Sequence, residues 1–235
     1  MKAVVADGRI PSECAGTLKA LGFELILMPP WNRLSEPVSS HPDMLIFITG
    51  DTVICHAGYY AVARDPVERI LSGGYRLILS DENCSAEYPQ DSLFNALPAG
   101  GYLYCLEKHL SGAVRTVTEK AGIRTVNVRQ GYARCSACIV GENAVITSDV
   151  SLDRALREHG TDVLLISPGN IRLDGYPCGF IGGASGYDNE NVYFAGNLAL
   201  HPDADKIESF CIRHGKRAVS LSADPLTDIG TMFFI

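Results

Sequence analysis

The chain has 235 residues, 46% of them hydrophobic, enough to bury a sizeable core and too apolar for a disordered or fibrous chain. Lys and Arg number 20 against 27 Asp and Glu, for a formal net charge of −7, and no basic run could neutralise several phosphates, which argues against a nucleic-acid partner. No apolar stretch approaches the roughly 20 residues that span a bilayer. The opening Met1-Lys2-Ala3-Val4-Val5-Ala6-Asp7 meets an acid before a secretory apolar run can form, so one cytoplasmic domain over residues 1–235, with no membrane partner, is expected.

Taken in chain order, residues 2–6 read as a first strand and residues 18–27 as the end of a helix, a glycine at Gly22 and a short apolar strand. The same pattern of helix end, glycine and strand returns at Gly74, Gly122, Gly160 and Gly215, at intervals of roughly 40–55 residues, the range of repeat architectures. A helix that ends in a left-handed residue favours glycine there, which has no Cβ to clash. Helix starts are expected at Ser12, Asp65-Pro66, Ser111, Ser151 and Pro202, where a capping oxygen or a pre-set proline φ suits the first turn.

Between these pieces the alternation predicts β-hairpins. They pair 44–48 with 52–55, 92–97 with 102–105, 135–140 with 144–147 and 178–182 with 192–195, and a fifth joins the C-terminal 231–235 to the N-terminal 2–6. Each unit then reads strand, strand, helix, strand, and joining the last strand to the first removes the open ends. A doubly wound parallel sheet accounts for the helix–strand pieces but leaves the hairpins unassigned.

Five such ββαβ units resemble the pentein fold of the guanidino-group-modifying superfamily, which includes arginine deiminases, dimethylarginine hydrolases and amidinotransferases. The resemblance covers the whole chain at the level of unit pattern and implies an α/β fold arranged as a five-fold pseudosymmetric propeller. It also implies a cysteine nucleophile from the last unit, a histidine from the third, and carboxylates from the early units that hold the guanidinium. That chemistry suits a planar, permanently charged group, which carboxylates bind in bidentate fashion and a thiolate can attack.

Measured against that pattern, 41–55 resembles the first-unit segment of dimethylarginine hydrolases and offers Asp43 and Asp51 as ligand-binding acids. Asp91-Ser92-Leu93-Phe94 resembles the run whose aspartate orients the catalytic histidine. As plain structure, Asp43 is a turn residue and Asp91 a strand cap. Where the resemblance implies the cysteine, the chain has Asp228-Ile229-Gly230-Thr231; where it implies the histidine, it has Tyr132-Ala133-Arg134-Cys135. Asp91, Arg134, Asp228, Cys135 and Cys178 then remain as polar groups near the hairpin openings, with Arg134 either turning the site toward anionic ligands or forming an internal salt bridge with Asp91 or Asp228.

Three functional readings follow: a small polar molecule bound at an axial site without the family's cysteine–histidine pair; a carbon–nitrogen hydrolase with displaced residues drawn from Asp91, Cys135 and Cys178; and a non-catalytic interaction module. No cofactor is expected, and the sequence names no oligomeric state. Cys135-Ser136-Ala137-Cys138 has no second pair to complete a zinc site, so it reads as core packing, its two thiols on opposite strand faces. The glycine-rich 179–186 lacks the Lys-Ser or Lys-Thr ending of a phosphate loop and reads as a hairpin turn. The eight cysteines are expected to be mostly buried and reduced.

Overall fold

The computed structural model describes residues 2–235. The chain begins with β1 (Ala3–Asp7), α1 (Ser12–Ala20) and β2 (Glu24–Met28), followed by the single turn α2 (Pro42–Leu45), β3 (Ile46–Thr49), β4 (Thr52–His56), α3 (Ala57–Tyr60), α4 (Arg64–Ser72) and β5 (Arg76–Ser80). Next come β6 (Leu97–Ala99), β7 (Tyr102–Cys105), α5 (Gly112–Lys120), β8 (Arg124–Asn127), β9 (Ala137–Gly141), β10 (Ala144–Thr147), α6 (Val150–Glu158) and β11 (Asp162–Leu165). The last part comprises β12 (Ser185–Tyr187), β13 (Asn191–Phe194), α7 (Ala204–Arg213), β14 (Arg217–Ser220) and β15 (Met232–Phe234). Among the described residues no helix is long and apolar enough to cross a membrane.

Three sheets have three strands each, in the orders β3-β4-β5, β6-β7-β8 and β11-β10-β9. In each, an antiparallel pair is followed by a helix and a third strand parallel to the second. The six-stranded sheet β14-β13-β12-β15-β1-β2 holds two groups of the same pattern, joined by parallel pairing of β12 with β15. The terminal pairing expected from the sequence is present, with Val4 opposite Phe234 and Val5 opposite Phe233.

The helices lie against these sheets through apolar residues three and four apart, the spacing of one helical face. Cys14 and Leu18 of α1, Val67 and Ile70 of α4, Leu152 and Leu156 of α6, and Ile207, Phe210 and Cys211 of α7 are all buried. Burying one such leucine stabilises the fold by roughly 1.5–3 kcal/mol. Gly22, Gly74, Gly122, Gly160 and Gly215 all have φ between 72° and 96°, the left-handed helix exit anticipated at each.

The structure moves several of the expected boundaries. Ser111 caps α5, its Oγ accepting from the Ala113 N–H, but α6 is capped by Asp149 rather than Ser151, since the carboxylate reaches the Leu152 N–H. Ser12 and Asp65 lie inside the first turns of α1 and α4, and α7 starts at Ala204, after Pro202. The hairpin expected from 92 begins only at Leu97, because the Asn95 N–H bonds to the Ser92 carbonyl and turns the chain.

The strand expected at 178–182 is absent and the pairing starts at Ser185 instead. There the Phe180 N–H is taken by Asp228, and a Cβ on Gly182 would stand 2.4–2.5 Å from the carbonyl oxygens of Ala137, Arg134 and Cys135. The glycine run therefore serves close backbone packing between two strand groups.

Candidate functional site

The segments that lead into the first strands of these groups meet in one buried polar cluster. From the first comes His41-Pro42-Asp43: Pro42 sets the first turn of α2, and the Asp43 N–H bonds the Gly230 carbonyl at 3.1 Å. Asp43 is fully buried, and its Oδ2 accepts from the Cys135 thiol at 2.9 Å and from the Thr231 hydroxyl at 2.7 Å. Cys135 and Thr231 come from the third-unit and fifth-unit segments where the resemblance implies a histidine and a cysteine.

Asn95 ties the second group to the others. Its Oδ1 accepts from the N–H groups of Arg134 and Cys135, at 2.8 and 3.1 Å, and its Nδ2 donates to Cys135 Sγ at 3.1 Å. His41 is buried between two acids, Nε2 lying 3.8 Å from Asp7 Oδ2 and Nδ1 3.8 Å from Asp228 Oδ1. Asp228 accepts from the N–H groups of Phe180 and Gly230. Gly230 has φ +70°, and a Cβ on it would fall 2.1 Å from His41 Cβ, so only glycine lets this loop approach the imidazole.

Burial governs the titration of this cluster. It pushes the Cys135 thiol well above its ordinary range, and the charges of Asp43 and Asp228 push it further, so the resting group is a thiol. Burial likewise raises Asp228, opposed by His41 and the two N–H donors and reinforced by Asp43. Asp91 is raised by burial against the hydrogen bond that its Oδ2 accepts from the Tyr132 hydroxyl at 2.6 Å. His41 Nδ1, Asp43 Oδ1 and Asp91 Oδ1 have no hydrogen-bond partner among the described residues.

A cavity of about 110 Å³ lies against the cluster, lined among others by His41, Met44, Tyr132, Cys135, Phe180 and Asp228. Leu173, Tyr176 and Cys178 line both this cavity and a more open cleft of about 560 Å³ formed by the 169–178 loop. His41, Asp43 and Cys135 offer an imidazole, a carboxylate and a thiol within 4.8 Å of one another, a donor set suited to zinc.

Of the residues singled out by sequence, Asp43, Asp228 and Cys135 are brought together, Asp91 stands behind Tyr132, and Cys178 lies exposed at the cavity rim. Asp51 is not brought to the site: it lies at the exposed turn of the β3–β4 hairpin, paired with Arg76 at 2.8 Å. Arg134 pairs with neither Asp91 nor Asp228. Its side chain runs the other way along the strands, and Nη1 donates to the Ala137 carbonyl at 2.9 Å. Cys135 lies in the turn before β9 rather than within a strand, so its thiol reaches polar partners instead of the core that holds Cys138.

His41, Asn95 and Thr231 were not singled out by the sequence. The His-Pro-Asp triplet was the one legible signal among them. A triplet of the same type at His201-Pro202-Asp203 does a different job, with Asp203 accepting from the Ser167 N–H and from Lys206.

None of the curated proteins matches the chain. Solved structures do. DDAH from Pseudomonas aeruginosa, a mutant in complex with citrulline, aligns with a TM-score of 0.59 and 12% identity, covering 94% of this chain and 92% of that one. SxtG, an amidinotransferase from Microseira wollei, aligns at 0.55 and 12%, covering 90% and 73%. The N-terminal domain of ArgZ, an arginine dihydrolase from cyanobacteria, aligns at 0.56 and 8%, covering 94% and 91%. At these identities the likeness is one of fold, and the fold is the mixed α/β architecture of the pentein guanidino-modifying enzymes. The family described as "Family of unknown function (DUF6873)" matches residues 5–233, and the chain belongs to it.

Proposed function

We propose that the protein binds a small planar cation of the guanidino or amidino class at the cluster around Asp43. The observation that carries this reading is Asp43 Oδ1, a buried carboxylate oxygen that meets no donor among the described residues, in a cluster whose other acid, Asp228, lines the adjoining cavity. Leaving a buried acceptor unpaired costs roughly 1–3 kcal/mol, and the N–H groups of a cation offset that cost. The rings of Tyr132 and Phe180 in the cavity wall add faces over which a cation is held. In this reading the five strand groups form one domain, a five-fold pseudosymmetric α/β propeller, and the cluster lies on its axis. The likeness of fold to an arginine dihydrolase, an amidinotransferase and DDAH supports the ligand class.

A second reading, hydrolysis of a carbon–nitrogen bond, is favoured by the grouping of Cys135, His41 and Asp43. A bound cation beside Cys135 opposes the Asp43 and Asp228 charges that add to burial in raising the thiol, and the proton passes to His41. The thiolate adds to the guanidinium carbon, and the departing amine leaves with a proton from the imidazole. Water then adds to the S-linked carbon, giving its proton back to His41, and the thiolate departs to leave a urea-type product. One water is consumed and one amine is released per turnover.

A thermal-shift series with arginine, agmatine, creatine and methylated arginines tests the binding reading, with Asp43→Asn as the control. A ligand at a hundredfold excess over its Kd stabilises the fold by about 2.7 kcal/mol. A shift in the wild type that is lost in Asp43→Asn supports the site; no shift with any member of the series rejects it. Release of ammonia, amine or urea, abolished in Cys135→Ser, separates turnover from binding alone.

A further inference from the structure

A second pocket, of about 250 Å³, opens at the other ends of the same strands. Its wall takes at least one residue from the first strand of every group: Ile48 of β3, Pro98 of β6, Ile139 of β9, Tyr187 of β12 and Met232, Phe233 and Phe234 of β15. Into this largely apolar enclosure projects one cation, Arg134, which is 95% buried by its 5% exposure and sits 5.8 Å from the centre of the Phe233 ring.

A guanidinium carries five N–H donors, and among the described residues this one meets only the Ala137 carbonyl. Arg134 forms no ion pair with any carboxylate among the described residues. A buried charge is ordinarily compensated by a partner, and here the protein supplies only a ring face and one carbonyl.

We propose that this pocket is a binding site for a small monocarboxylate with an apolar body, its carboxylate paired in bidentate fashion with Arg134. The planar fork of the guanidinium matches a carboxylate. Isoleucine, proline and phenylalanine walls suit the apolar remainder. A dianion is disfavoured, because the rim also holds Asp188, whose carboxylate is tied in place by the N–H groups of Glu190 and Asn191 at 2.8 Å and by the Tyr193 hydroxyl at 3.0 Å. The site is separate from the Asp43 cluster and stands whether or not that cluster binds a guanidino compound.

Calorimetric titration of the full chain with propanoate, benzoate and inorganic phosphate tests the assignment. The expected result is saturable uptake of one equivalent of propanoate or benzoate, weakened at least about tenfold, or 1.4 kcal/mol, in Arg134→Gln. Ile48→Trp, which fills the pocket and leaves Arg134 in place, weakens uptake as well and serves as the deciding variant if Arg134→Gln does not fold. Arginine and agmatine do not displace the carboxylate. Absence of saturable uptake by the wild type, uptake unchanged in both variants, or phosphate binding as tightly as the carboxylates would each overturn the proposal.

Discussion

The thiol of Cys135 donates to Asp43 Oδ2 across 2.9 Å, joining the third strand group to the first through two buried side chains. With burial, Asp43 and Asp228 all holding its proton on, this sulfur is chemically quiet in the free protein. Cys178 is the exposed cysteine and the other seven are buried.

Titration of the native protein with an aromatic disulfide reagent near neutral pH is therefore expected to show one fast thiol per chain. That phase disappears in Cys178→Ser, and the remaining thiols react only on unfolding. A second fast thiol that peptide mass analysis assigns to Cys135 would contradict the protonated, hydrogen-bonded state.

Thr231 supplies the second donor to Asp43 Oδ2, and it does so from a φ of 64°, an unusual conformation for a β-branched residue. Its hydroxyl is what the site uses, so Thr231→Ser should stay close to the wild type. Thr231→Val keeps the volume and loses the donor, which should cost about 1–3 kcal/mol in a urea unfolding experiment. Equal stability of the Ser and Val proteins would show that the hydroxyl contributes nothing.

What the sequence disclosed follows from range. Helix exits at Gly22, Gly74, Gly122, Gly160 and Gly215 are local signals, and all five are present with left-handed backbones. Asp43 and Cys135 were legible as candidates, but their contact spans 92 residues of chain, and no period or cap encodes it. Strand alternation placed Cys135 inside a strand facing the core. Because β9 starts two residues later, at Ala137, the thiol sits in a turn and meets Asp43 and Asn95. His41 was hidden by its neighbour: Pro42 accounts for a helix start by itself, and the reason for the imidazole lies in Gly230, Asp7 and Asp228.

The glycines of the 179–186 segment are predicted to be irreplaceable for a steric reason. A Cβ on Gly183 would stand 1.9 Å from Asp228 Oδ1, and one on Gly182 would meet three backbone carbonyls that cannot swing away. Either Gly→Ala change should cost more than about 3 kcal/mol. Gly16, in α1 with nothing within 4 Å of its virtual Cβ, provides the contrast: Gly16→Ala should stabilise by about 0.5–1 kcal/mol. Thermal midpoints of the three proteins decide the matter, and a Gly183→Ala protein as stable as the wild type would refute the packing.

Asp228 links the site to pH. Burial first, and Asp43 after it, raise its pKa above the ordinary 3.8, while His41 and the N–H groups of Phe180 and Gly230 hold it back. A carboxyl raised in the folded state takes its proton at a higher pH when folded than when unfolded. Its ionised form therefore opposes folding above the raised value, and that penalty is relieved as pH falls through the folded pKa toward about 4. Asp228→Asn removes the titration, while Asp91, raised in the same direction, remains in both proteins. The stability of the variant relative to the wild type should then be greatest near pH 7 and fall steadily toward about pH 4, whatever constant offset the substitution adds through the Phe180 and Gly230 contacts. Urea midpoints at unchanged m-value, measured across that range, give the slope directly. A relative stability that rises on acidification would mean that the folded protein holds Asp228 as a carboxylate below its ordinary range, with the His41 and N–H contacts outweighing burial.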